Sequence, residues 1–308
     1  MNLRTGWNRF WFTPAAPEDL AVARILFGTA LFVFSLTKAF HEWAEIPEFF
    51  HGFRARYFPL LGIPVLGTQA LIALEWVWRG AILMSAAGLF SRASSLGVCL
   101  GSVYLMGLDA PEISGRSYTA GVFVPLILAF SRCGDALSVD AWLRNRRGTP
   151  VIPRPDEYGW PGRLICAFLS FTFFGAGIAK VRYGGFPDWM LSETLPQAIL
   201  RGNYWYASRG RAFSDLGPWI LQWGRPAAVA IAVATQWVEL LYPLALFWRP
   251  IRITVVPAMC ALLVGIWLCM GPFFFLTLAA HVFWVPWSRL LPGFSGFPAG
   301  AAVTPAMR

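Results

Sequence analysis

Charge is what this sequence has least of. Only 13% of its 308 residues are charged, about half the share of a soluble domain, and this excludes an ordinary water-facing surface. Lysine is nearly absent: of 25 basic residues, Lys38 and Lys180 are the only lysines. Histidine is confined to His41, His51 and His281. The five cysteines, Cys99, Cys133, Cys166, Cys260 and Cys269, form no CxxC pair and sit in or beside apolar segments. They read as buried thiols, with no disulfide framework and no metal site. His41 and His51 share a stretch with Glu42, Glu45 and Glu48, but at a spacing that fits no tight ligand motif. No Walker A loop, GxGxxG strand-turn, GxSxG elbow or HExxH is present, and those nucleotide, hydrolase and metalloprotease classes lose their signatures. The first 19 residues lack the short apolar core and small-residue cleavage site of a secretory leader, so no cleavage is expected. No repeat, low-complexity tract or second domain is visible. The expectation is a single domain over 1–308, with its core at about 17–290.

What is abundant is apolar. Hydrophobic residues make up 57%, aromatics 16%, and the mean hydropathy is +0.55, the composition of an all-α integral membrane bundle. A net charge of +9 would suggest nucleic acid in a soluble protein. Here it reads as arginine anchoring loops against anionic headgroups, with membrane lipids and no nucleic acid as partners. Runs suited to spanning lie near 20–38, 69–90, 93–108, 118–134, 163–180, 226–248, 251–270 and 272–287. That gives about eight transmembrane helices, or seven if the last two, split only by Gly271-Pro272, form one kinked element. With the N-terminus cytoplasmic, 13 arginines fall inside and 8 outside, and the densest cluster, Arg144-Asn-Arg-Arg147, is inside. This predicts a multi-pass protein of a bacterial inner membrane. Segments 39–68, 109–117 and 181–225 then share the outer face. The last holds 45 residues, long enough to fold or function in its own right, and its stretch 192–200 reads as a short interfacial helix. Trp43, Trp189, Trp205, Trp219, Trp223, Trp284 and Trp287 suit an aromatic belt, and Asn203-Tyr-Trp-Tyr206 reads as belt or as pocket lining.

Ionisable residues at membrane depth are the functional signal. A charge at the bilayer centre costs ~2.5–3.5 kcal/mol, so such groups pair or line a polar cavity. Glu75 and Arg79, spaced i, i+4, suit an intrahelical pair. Lys38 ends its span and reads as snorkelling to the interface. Arg24 and Glu239 lie on different spans, and each needs a partner from another helix. Lys180 closes the run Phe173-Phe-Gly-Ala-Gly-Ile-Ala-Lys180. It reads either as a helix-end lysine that snorkels or as a base facing Glu239 in an outward-opening cavity, because a desolvated amine can lose its proton while a guanidinium cannot. Gly175 and Gly177 thin the helix before it and admit a close neighbour.

Several segments in order carry a resemblance. Asp19-Leu-Ala-Val-Ala-Arg-Ile-Leu-Phe-Gly28 fits an Ala-x-x-Arg-x-x-x-Gly opening, and Tyr57-Phe-Pro-Leu-Leu61 follows. Gly88-Leu-Phe-Ser-Arg92 fits a Gly-Leu-x-x-Arg turn. Leu108-Asp109 and Ser117-Tyr118 bracket a loop. Leu137-Ser-Val-Asp-Ala141 fits a Ser-x-Asp motif, and Phe174-Gly-Ala-Gly-Ile-Ala-Lys180 precedes Asp188-Trp189. Together they resemble the HTTM (horizontally transferred transmembrane) domain family, whose best-known member is the vitamin K-dependent gamma-glutamyl carboxylase. The resemblance implies a quinol of vitamin K or menaquinone type as cofactor, with Lys180 as the base that deprotonates it and Glu239 as a catalytic acidic partner. It implies Asp109, Arg116, Tyr118, Arg24 and Trp189 as binding residues. The sequence departs from the carboxylase where Gly115-Arg116 replaces Asn-His, where no histidine stands near Ala261, and where no large lumenal domain is expected beyond the last span. These departures point to reduced quinol chemistry, carboxylase-like or oxidoreductase, rather than full glutamate carboxylation. The competing alternative is non-enzymatic, a membrane partner or a maturation and export factor for a secreted peptide.

Overall fold

A computed structural model describes residues 3–47, 49, 54–109, 118–149, 152–208 and 214–291. Glu48, His51, Arg116, Arg209 and Arg211 lie outside these residues. Every regular element among the described residues is helical. In chain order they are α1 Leu3–Trp11, α2 Pro17–Leu36, α3 Tyr57–Leu61, α4 Thr68–Ala87, α5 Ser91–Leu108, α6 Thr119–Phe130, α7 Val139–Arg146 and α8 Asp156–Gly184, then α9 Asp188–Leu191, α10 Thr194–Ala207, α11 Leu216–Leu221, α12 Arg225–Leu241, α13 Arg249–Met270, α14 Phe275–Ala279 and α15 Trp287–Leu290. Short 3₁₀ turns cover Phe40–Ala44, Tyr242–Leu246 and Ala280–Trp284.

Five segments are long and apolar enough to cross a membrane: α2, α4, α8, Arg225–Leu246 and α13. At 1.5 Å per residue a 20-residue helix such as α2 reaches about 30 Å, the thickness of a hydrocarbon core. The other three expected spans fold as helices that fall short, for physical reasons. In α5, which covers 93–108, Ser91, Ser94, Ser95 and Ser102 dilute the apolar run. α6 has 12 residues and carries Pro125 inside. The stretch 272–287 breaks into α14 and a 3₁₀ turn and stops at Pro286. The spanning helices leave large apolar side chains exposed, Leu26, Val33 and Leu36 on α2 and Trp76, Val77 and Leu83 on α4, which suits a hydrocarbon surrounding better than water.

The helix ends follow the sequence. Pro17 opens α2, with Glu18 and Asp19 in the first turn against the positive end of the dipole. Gly88 ends α4 in the left-handed region at φ 70°, and the N–H of Leu89 reaches back to the Met84 carbonyl at 2.8 Å.

The chain divides into two compact units, one running to Ile165 and resuming at Phe275, the other Cys166–Phe274. In the first, α2 packs on α4, α4 on α5 and α5 on α6, while α14 and α15 return to α2. Trp78, fully buried, fills the α4–α5 seam and donates to Ser102 Oγ at 3.1 Å. It fits because a Cβ on Gly101 would come 2.4 Å from its ring. In the second unit α10, α11 and α12 all pack on α13. The long 181–225 segment is therefore largely helical. Its α10 starts at Thr194, two residues after the expected 192–200 helix begins, and runs on to Ala207.

Candidate functional site

In the second unit, α12 buries one stripe: Ala228, Ala232, Thr235, Gln236 and Glu239, the i, i+4, i+7 spacing of a packed helical face. The last turns of α8 lie against this stripe. A Cβ on Gly177 would sit 3.0 Å from Leu240 and 3.2 Å from Glu239, so the glycine sets the approach. Gln236 Nε2 donates to the Gly177 carbonyl at 2.9 Å. One turn on, Lys180 Nζ donates to Glu239 Oε1 in a tight ion pair. The lysine side chain is 23% exposed and the glutamate 7%. The amine also stands 5.0 Å above the centroid of Trp189, on α9, a cation–π contact that holds it in place. The other carboxylate oxygen, Glu239 Oε2, is buried and accepts no hydrogen bond from the protein. A buried acceptor without a donor is costly. The structure thus brings Lys180, Glu239 and Trp189 together.

Asp109 and Tyr118 meet in the first unit, with Lys38, a residue expected at the interface, as their partner. Lys38 Nζ donates to Asp109 Oδ2 at 2.7 Å and to Tyr118 Oη at 2.8 Å, and Tyr118 Oη donates to Asp109 Oδ2 at 2.7 Å. Burial opposes the charge on Lys38, but its bonds to Asp109 and Tyr118 outweigh it and hold the ammonium above its ordinary pKa. Burial pushes the Tyr118 phenol up to about 12. Tyr118 also lines a cavity of about 570 Å³ with Tyr57, Val103, Met106, Val122 and Phe123, within the range of small-molecule sites. The signal for Lys38 was its rarity, which it shares with Lys180.

Close to Lys38 is a second network. Glu75 and Arg79 form the expected i, i+4 pair at 3.1 Å. Arg79 Nη2 also donates to the Ser35 and Lys38 carbonyls at 3.1 and 2.9 Å, and the backbone N–H of His41 donates to Glu75 Oε1 at 2.6 Å. His41 is thereby tied to a buried glutamate. Among the described residues no group of His, Cys, Asp and Glu could hold a metal.

Arg24 has a different surrounding. Fully buried on α2, it donates to the Leu137 carbonyl at 2.7 Å, and among the described residues no carboxylate pairs with it. A Cβ on Gly88 would lie 2.0 Å from its guanidinium and 2.4 Å from Ser138 Cβ. Ser138 caps α7 by accepting from Ala141 N at 2.9 Å. Asp140 accepts from Phe90 N, Ser91 N and Ser91 Oγ at 2.9, 2.8 and 2.7 Å, closing the start of α5. Burial opposes the charge on Asp140, but these bonds outweigh it and keep its pKa below the usual carboxylate value. Arg24, Gly88–Arg92 and Ser138-Val-Asp140 therefore interlock in one knot.

The sequence profile of the HTTM domain matches residues 12–288. The chain belongs to the HTTM domain family. No curated protein and no solved structure matches it. With five helices able to cross a membrane, this HTTM protein is an integral membrane protein. Three of the segments that carry the family resemblance, around Arg24, Gly88 and Asp140, form the knot. The segment ending at Lys180 does not take part in it.

Proposed function

We propose that this HTTM protein binds a quinol or similar lipidic ligand and uses Lys180 as a base, with Glu239 as its proton partner. The observation that carries the reading is the ion pair between the chain's one lysine in the second unit and a buried glutamate whose second oxygen has no donor. A lysine acts as a base only after its amine has lost a proton. Glu239, within hydrogen-bond reach, can take that proton, and Nζ is then free to accept one from an acidic hydroxyl. The geometry fits a quinol on one count: an unsatisfied carboxylate oxygen beside the amine suits a hydroxyl donor. A bound quinol would supply that hydroxyl together with reducing equivalents. Lys180 and Glu239 would hold it, and Trp189 would fix the amine. Asp109, Arg116 and Tyr118 are proposed as binding residues apart from that pair, and of these Tyr118 lines the first unit's own cavity with Met106 and Phe123. Arg24 is assigned to the structural knot instead. The wider proposal is one HTTM domain in a bacterial inner membrane, N-terminus cytoplasmic as the arginine distribution favours, in which the five long helices and three shorter segments, α5, α6 and 272–287, make up about eight membrane segments. Carboxylase-like or oxidoreductase chemistry follows from it, without full glutamate carboxylation.

A second reading has its own support. α10 exposes Leu200, Tyr204 and Trp205, and α11 and its end expose Trp219 and Trp223. These suit a non-enzymatic partner that docks a secreted peptide.

Mass spectrometry of the protein purified in detergent separates the two. Quinone that co-purifies with the wild type and is depleted from Glu239→Ala supports the quinol reading. A preparation free of quinone that also fails to bind added menaquinone contradicts it and leaves the docking reading.

A further inference from the structure

At the end of the first unit where α5 begins, Arg92, Arg132 and Arg144 line a cleft of about 470 Å³, with Asp135, Asp140, Ser91 and Ala93. Both carboxylates are already committed. Asp140 closes the start of α5 through Phe90 and Ser91. Asp135 Oδ1 accepts from Arg144 at 3.2 Å, and its Oδ2 accepts from Arg132 at 2.8 Å and Tyr158 at 2.9 Å. Glu157 takes a further nitrogen of Arg132 at 2.6 Å. The arginines retain donors. Arg92 gives Nε to the Ser131 carbonyl at 3.1 Å and, among the described residues, pairs with no carboxylate. Arg144 Nε is buried without an acceptor. The lining includes an apolar ring, Phe90, 66% exposed, and α7, which supplies Asp140 and Arg144 to the cleft, also exposes Trp142 with Arg146 stacked 3.8 Å above its indole.

Guanidinium groups with spare, fixed N–H donors match the oxygens of a phosphate in number and direction. We propose that this cleft binds a phosphate ester, with Arg92 as the principal contact and the charges of Arg132 and Arg144 in the lining beside it. An exposed aromatic ring beside the arginines is the surface that a lipid headgroup meets at the water boundary, and it favours an anionic lipid over a soluble phosphate ester. The proposal does not depend on Lys180 or on quinol.

The test uses the full chain in neutral detergent, with dihexanoyl phosphatidylglycerol, dihexanoyl phosphatidylcholine and inorganic phosphate as probes, read by native mass spectrometry and thermophoresis. Saturable binding of phosphatidylglycerol but not of inorganic phosphate assigns the lipid source, and equal binding of the two assigns a soluble ester. In either case Arg92→Gln weakens binding about tenfold, the loss of one charge-assisted hydrogen bond, and Arg92→Lys weakens it less. Ala93→Glu, which leaves every arginine in place and sets a carboxylate at the exposed mouth, weakens it comparably. An absence of binding, equal affinity for phosphatidylcholine, or affinity unchanged in both Arg92→Gln and Ala93→Glu overturns the proposal.

Discussion

Gly88 has no room for a side chain and a backbone that L residues avoid. At φ 70°, with Arg24 2.0 Å and Ser138 2.4 Å from the place of a Cβ, Gly88→Ala incurs both left-handed strain and a clash. We expect it to lower stability by about 3 kcal/mol, seen as a lower thermal midpoint in detergent. Lys38 gives a pH test. Its pKa is raised in the fold, so its stabilising contribution is complete below the ordinary lysine value of 10.5 and is lost as pH rises through the folded value. Tyr118, at about 12, acts in the same direction, since the fold favours its protonated form. Lys38→Met should therefore cost stability at pH 8, and its deficit against the wild type should shrink toward pH 12. A deficit that stays constant across that range contradicts the triad. At this scale sequence reading was uneven. Lys180 and Glu239 stood out because a charge in an apolar run needs a partner, and the structure pairs them. The Lys38–Asp109–Tyr118 triad did not, because it joins positions 71 and 80 residues apart and Lys38 looked satisfied by the interface alone.

Among the elements, caps from distant segments do much of the fixing. Asp140 holds the first turn of α5, and Asn203 Nδ2 donates to the Cys269 carbonyl at 2.7 Å in the last turn of α13. Asp140→Ala should cost about 1–2 kcal/mol near neutral pH. Because the folded pKa of Asp140 lies below the ordinary 3.8, its contribution is present above that value and fades as pH falls through the lower one. Chemical denaturation at pH 7 and at about pH 3 should show the cost shrinking. An equal cost at both would contradict the assignment. Asn203→Ala should cost about 1 kcal/mol and loosen the α10–α13 contact, read as faster hydrogen exchange in α10. The long apolar helices α2, α4, α8 and α13 were legible from hydropathy. The break at Gly271-Pro272 was legible too, but the shortness of α6 and of the last segment was not, because hydropathy ignores how Pro125 and Pro286 interrupt hydrogen bonding. The helices within 181–225 were legible only in part, since amphipathic surface segments carry no sustained apolar run.

For the whole molecule, the arginine distribution makes a topological claim. With the remaining cysteines replaced, a membrane-impermeant maleimide should label Ser192→Cys in intact cells and Thr149→Cys only after lysis. The reverse pattern contradicts an N-terminus-inside orientation. The family assignment joins these scales, since the knot around Arg24, Gly88 and Asp140 builds the scaffold and Lys180 with Glu239 carries the proposed chemistry. The most direct measurement of that chemistry is the rate at which the reconstituted protein accelerates aerobic oxidation of menaquinol. Lys180→Arg keeps the positive charge and the pairing with Glu239 but removes a titratable base. The account predicts a fall of at least about 100-fold, the scale of a lost general base, with an unchanged thermal midpoint. A variant that oxidises menaquinol as fast as the wild type would contradict it.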